Sequence, residues 1–157
     1  MKLIHKILLI ILALMLALTF WFHYGAKLRG RATVTTAVAS DYPDAFTAAA
    51  SIVRSGAAHQ TFSDASLDGS AGYELVDASV DLKNYGLFAA EWLEITVNPA
   101  AEDVAVYSTS GGASDVPAFG SGRINVKLVT RNAQASRSVT INYYVYGIYE
   151  SITVPLR

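Results

Sequence analysis

Two hydrophobic patterns divide the chain. From Ile7 to Phe22 it reads ILLIILALMLALTFWF, 16 residues with Thr19 as the single polar member. A helix crossing a hydrocarbon core of roughly 30 Å needs about 20 apolar residues. Leu3, Ile4 and Tyr24 lengthen the run, and Lys6 can snorkel outward. Further along the chain, apolar residues fall at every second position. Val76, Ala78, Val80 and Leu82 share one parity, and Asp77, Ser79, Asp81 and Lys83 the other. The same alternation sets Leu93, Ile95 and Val97 against Trp92, Glu94 and Thr96, and Ile124, Val126 and Leu128 against Arg123, Asn125 and Lys127. It recurs with Val139, Ile141, Tyr143 and Val145 inward, and with Ile152, Val154 and Leu156. Val34–Val38 and Val104–Tyr107 read as shorter strands. Apolar-in, polar-out alternation marks antiparallel sheets with one wet face. The pattern predicts a mainly β, antiparallel two-sheet sandwich of about seven strands over residues 32–157, behind an anchor over 1–31.

One helix interrupts the strands. Pro43 and Asp44 suit a first turn, where a missing N–H and a negative charge are both tolerated. Phe46, Ala49, Ala50 and Val53 form its apolar stripe, and Gly56 is its stop signal. Residues 57–72 and Ser108–Asp115 read as loops.

Charge sharpens the division. Residues 1–31 hold Lys2, Lys6, Lys27, Arg29 and Arg31 and no acid, a charge of +5. The remainder holds seven bases and all thirteen acids, a charge of −6. An anionic domain lacks the clustered cations that phosphate neutralisation needs, so nucleic acid is not an expected partner. The five bases beside the apolar run suit lipid head groups. Lys2, Lys6, Trp21, Tyr24, Lys27, Arg29 and Arg31 are therefore the expected membrane-interface residues, and the bilayer the expected partner. A cleaved signal peptide wants small residues at −3 and −1, but this run ends in WFHY and Tyr24-Gly25-Ala26 puts a ring at −3. The expectation is an uncleaved anchor. The flanking bases nearly balance, but a short basic start before an apolar run is how exported chains begin, so the domain is expected outside the cell membrane. A lipoprotein would need a cysteine, and the chain has none. That also excludes a disulfide framework, a thiolate zinc site and a cysteine nucleophile.

Candidate chemistry is sparse, and no catalytic residue or cofactor is assigned. His59 is the one histidine of the domain, without the partners a metal site or a catalytic triad needs. Glu91 and Glu94 fall on opposite strand faces by parity, against an acid/base pair. Gly111-Gly112 lies in a Ser-rich turn rather than between a strand and a helix. Asp64, Ser66 and Asp68, followed by Gly69, alternate oxygen ligands as short calcium loops do, but the twelfth position is Leu75. Tyr144 and Tyr146 share the outward parity and could form a platform for a peptide or glycan.

The stretches YELVDASVDLKNYGLFAAEWLEITV, DVPAFGSGRINVKLV and VTINYYVYGIYESITVPL are similar in order to late-embryogenesis-abundant type 2 domains, also called water-stress/hypersensitive-response domains. Asn84 stands at the bend after a strand, Val116-Pro117-Ala118 with Gly120 at the entry to a middle strand, and Val154-Pro155 at the close of the last hairpin. Asn84 is followed by Tyr85-Gly86 rather than by proline. The same landmarks resemble adhesion-related immunoglobulin-like domains of prokaryotic surface proteins. Both resemblances imply a small immunoglobulin-like sandwich without a catalytic centre. The expected role is a membrane-anchored extracytoplasmic module, structural or protein-binding, with an envelope protein as partner. The alternative is a domain that binds glycan, peptide or calcium.

Overall fold

The computed structural model describes residues 2–21, 27–110 and 115–156. Tyr24, the Gly111-Gly112 turn and the side chain of Lys2 lie outside what is described.

Helix α1 (Lys2–Phe20) is 19 residues long, which at 1.5 Å per residue is about 28 Å, close to the thickness of a hydrocarbon core. The window Leu3–Phe20 has a mean hydropathy of 2.5 and none of it is buried against the rest of the chain. Its one hydroxyl is satisfied internally, with Thr19 Oγ1 donating to the Met15 carbonyl at 2.7 Å.

The remainder is mainly β, as expected. Strands β1 (Leu28–Val38), β2 (Gln60–Thr61), β3 (Glu74–Asn84), β4 (Glu91–Asn98), β5 (Asp103–Ser110), β6 (Ser121–Thr130), β7 (Arg137–Val145) and β8 (Ile148–Leu156) form two antiparallel sheets. One has the order β1-β3-β6-β5-β2, the other β4-β7-β8. The alternation predicts the inner faces well. Val76, Ala78, Val80 and Leu82 pack with Ile124, Val126 and Leu128 against Val97, Val139, Ile141 and Tyr143, with Leu93 and Ile95 at the margin.

The first strand begins before residue 32. Leu28 pairs with Asn84 and Arg31 with Asp81, so Leu28–Arg31 belong to the sheet. Leu28 is buried, while Arg29 and Arg31 point outward. Gly30 faces β8, and a Cβ there would run into Val154 Cγ2. Close approach of β1 to β8 thus closes one side of the sandwich. On the other side, residues before and in β2 reach across to β4. The Val97 N–H donates to Gln60 Oε1 at 2.7 Å, and His59 Nε2 lies 3.1 Å from the Ile95 carbonyl oxygen.

A second core covers part of the outer face of the larger sheet. Helix α2 (Pro43–Arg54) buries Phe46, Ala49 and Ala50 against Leu75, Val104, Ala105 and Val129. The predicted loop 57–72 contributes Leu67, fully buried with φ 52°. Arg54 Nη2 donates to the Leu67 carbonyl at 3.0 Å.

The ends of the sandwich differ. At the end remote from α1, Arg137 and Asp103 form a buried pair. Arg137 Nη2 and Nε donate to the two Asp103 carboxylate oxygens at 2.7 and 3.1 Å. The remaining guanidinium donors reach the Ala133 and Asn132 carbonyls at 2.9 and 2.8 Å. The pair ties β5 of one sheet to β7 of the other.

Candidate functional site: the anchor-proximal end

The other end receives the chain from α1 and is built from three turns. The first follows β3 and is held by Asn84, a side chain with only 2% of its surface exposed. Asn84 Oδ1 accepts from the Gly86 N–H at 2.8 Å, and Nδ2 donates to the Phe88 carbonyl at 2.8 Å and the Val116 carbonyl at 3.1 Å. One buried amide thus fixes the 85–88 bend and joins it to the second turn, Val116 to Gly120. The third is the β7–β8 hairpin, whose two turn residues Tyr146 (φ 51°) and Gly147 (φ 77°) are both left-handed. That geometry matches the twist of the flanking strands, and glycine adopts it without cost.

Turn positions are normally polar. Here they carry large apolar groups. Leu87, Phe88, Phe119, Tyr146 and Ile148 are exposed by between 38% and 78%. Phe88 packs on Tyr146 with ring centroids 5.1 Å apart. An apolar groove of about 350 Å³ runs between the first and third turns, lined by Leu87, Phe88, Val145, Tyr146 and Ile148 and also by Thr19 of α1. Trp21 stacks on Phe119 at 6.4 Å.

Bases ring this end. Lys27 Nζ lies 3.7 Å from Glu150. The Arg29 guanidinium sits 5.2 Å above the Tyr85 ring, and Lys83 Nζ donates to the Phe119 carbonyl at 2.8 Å. Arg31 is exposed two residues further along β1. Lys6 is exposed near the opposite end of α1. The Tyr143 phenol lies behind the groove, and burial raises its pKa above the ordinary value, opposed by a backbone hydrogen bond with Leu28.

The structure separates several residues that the sequence groups. Tyr144 and Tyr146 do not share a strand face, because Tyr146 lies in the turn. Tyr144 meets Tyr149 edge-on instead, with centroids 5.6 Å apart. Glu91 and Glu94, expected on opposite faces, lie on the same outer face. A bulge between them shifts the register, so that Glu91 opposes Tyr144 and Glu94 opposes Asn142. The residue that absorbs the bulge is Trp92 (φ 56°, 75% exposed), whose N–H donates to Asp115 Oδ1 at 3.1 Å. Asp64, Ser66 and Asp68 are all exposed around the buried Leu67. Among the described residues no group of three or more His, Cys, Asp or Glu side chains converges on a metal position.

The apolar turns are absent from the alternation-based reading, yet the sequence carries a signal for them. Tyr85-Gly86-Leu87-Phe88, Phe119-Gly120 and Tyr146-Gly147-Ile148 each place a glycine beside an aromatic residue where polar residues are the rule.

No family model matches the chain, and no curated protein matches it. Among solved structures it is similar to the crystal structure of a FixG-related protein from Vibrio parahaemolyticus, at 8% identity. The match covers 81% of this chain and 94% of that one, with a TM-score of 0.34. Agreement that loose carries no argument about this chain.

Proposed function

We propose that the protein is a single-pass, membrane-anchored β-sandwich whose domain lies outside the cytoplasmic membrane and serves a structural or protein-binding role without catalysis. The observation that carries this reading is α1: long enough to span, wholly apolar from Ile7 to Leu18, unburied by the domain, and joined to β1 by only seven residues. Bases lie at both ends, Lys6 near its start and Lys27, Arg29 and Arg31 after it. A non-catalytic role is favoured by where the candidate groups lie. His59 contacts the β4 edge, and Glu91 and Glu94 sit on an open sheet face.

The resemblance to late-embryogenesis-abundant type 2 and adhesion-related immunoglobulin-like domains fits this role. What supports it is that two of its landmarks, Asn84 and Val116, are hydrogen-bonded although 32 residues apart. A second reading, a domain binding a glycan or peptide, is favoured by the groove beside Phe88 and Tyr146. Calorimetry of the full chain in nanodiscs with a glycan and peptide panel tests it.

The main reading is tested by carbonate washing of membranes and protease treatment of spheroplasts. The chain is expected to stay in the membrane, and protease to trim it to a fragment of about 3–4 kDa. Protection until lysis reverses the orientation.

A further inference from the structure

We infer that the anchor-proximal end of the sandwich is itself a membrane-binding surface, with the turns at Leu87–Phe88, Phe119 and Tyr146–Ile148 seated in the lipid interface. The inference rests on the anchor reading above and extends it from the helix to the folded domain.

Three independent observations converge. The first is the distribution of exposed apolar side chains. Among the described residues of the domain, Val38 and Tyr42 are the only large apolar side chains exposed away from this end. The others gather on and beside the three turns. An exposed apolar cluster with a polar surround marks a contact surface. Its residue types, aromatic rings and branched aliphatics on tight turns, are those that settle at a head-group boundary.

The second observation identifies the occupant. Residues 21–27 connect α1 to β1, a contour of at most about 25 Å. The start of β1 belongs to this end, where Leu28 pairs with Asn84. The opposite end lies a strand length away, about 36 Å for the 11 residues of β3. If α1 spans a bilayer, the apolar turns are thus tethered next to its surface. Trp21, at the end of the span, already stacks on Phe119.

The third observation is charge. The domain over residues 32–157 carries −6, a net charge that anionic head groups repel. Lys27, Arg29, Arg31 and Lys83 place basic groups around the apolar turns, with the acids Glu150, beside Lys27, and Asp115 among them. Contact through this end is the approach that buries apolar surface and also brings cations to the lipid. The lipid would cover the open groove and hold the sandwich at a fixed tilt, instead of leaving it to swing on its tether.

The absence of native cysteine allows a direct test. Leu87→Cys, Tyr146→Cys, Ile148→Cys and, at the opposite end, Gln134→Cys are each labelled with an environment-sensitive fluorophore. The labelled full chains are placed in phosphatidylethanolamine/phosphatidylglycerol vesicles that contain a lipid with a nitroxide near the top of its acyl chain. All four positions are on turns or at a strand start, and the near-ultraviolet spectrum checks that each variant folds. Labels at 87, 146 and 148 are expected to be quenched by the lipid nitroxide about twofold or more and shielded from aqueous iodide, as befits insertion to the acyl boundary. The label at 134 should show the reverse. Labels at all four positions equally open to iodide, on a chain that resists carbonate, would overturn the inference and leave the anchor standing. Shielding from iodide without lipid quenching would mean that protein covers the end, which also overturns it. A chain that washes off the vesicles overturns both readings.

Discussion

The Arg137–Asp103 pair is the interaction most exposed to a quantitative test. Its side chains are 2% and 0% accessible, and it joins the two sheets at the end remote from the anchor. Replacing Asp103 with Leu leaves the guanidinium buried with only the Ala133 and Asn132 carbonyls and a distant Thr130 hydroxyl. Replacing Arg137 with Met leaves the carboxylate with the Ala100 N–H at 2.7 Å. Breaking a buried pair by removing one partner costs about 3–5 kcal/mol, because the remaining charge stays desolvated. For a domain of this size that lowers the melting temperature by roughly 10–20 °C. The double variant removes both charges and strands only neutral backbone groups. It should lose much less than the sum of the singles, with a coupling of at least about 2 kcal/mol. The assay is thermal unfolding of the full chain in nanodiscs, followed in the near ultraviolet, for all four members of the cycle. Single variants that melt within about 2 °C of the parent, or losses that simply add, would refute the reasoning.

Three further outcomes follow from the packing. Val126→Asp puts an unpaired charge between the sheets and should abolish cooperative melting, a loss of several kcal/mol; a soluble variant with a sharp transition would mean that the face assignment is wrong. Gly30→Val drives a side chain into Val154 and should cost about 1–3 kcal/mol in chemical denaturation, whereas a neutral effect would show that β1 and β8 are free to separate. Burial raises the pKa of Tyr143, so its contribution to stability is complete below the ordinary value of 10.0 and is lost as pH rises through the folded value. Melting temperatures should therefore fall as pH rises above about 10. Tyr143→Phe should flatten that fall. Tyr107 is raised by burial in the same sense and should leave a residual slope.

The long central strands are legible in the sequence because each has one face in the main core and the other in water. Where that condition fails, so does the pattern. Leu75-Val76 and Leu128-Val129 are adjacent buried pairs because α2 covers the outer face there. β5 is buried at four consecutive positions, Asp103 to Val106, and register shifts in its pairing with β6 break the period of two. The early start of β1 is hidden because Gly30 and Ala32 are small. Gly30 is small for a physical reason, the approach of Val154, but a short side chain carries little hydropathy signal. Arg137 shares parity with Val139 and Ile141, so its inward position follows from alternation, although a lone arginine reads as a surface residue until Asp103 is placed beside it. The Glu91–Glu94 bulge could not be read from parity, since one extra residue in a strand reverses every inference downstream of it. The apolar turns were legible in residue type but not in arrangement. Their meeting at one end depends on sheet topology, which alternation alone does not specify.

The central claim is a domain held outside the cytoplasmic membrane by α1. Its most direct test is labelling of the full-length Gln134→Cys variant with a membrane-impermeant maleimide in intact cells or spheroplasts. The account predicts label on a carbonate-resistant membrane protein before any lysis. Labelling that begins only after the membrane is opened, or label on a chain that fractionates free of the membrane, would contradict it.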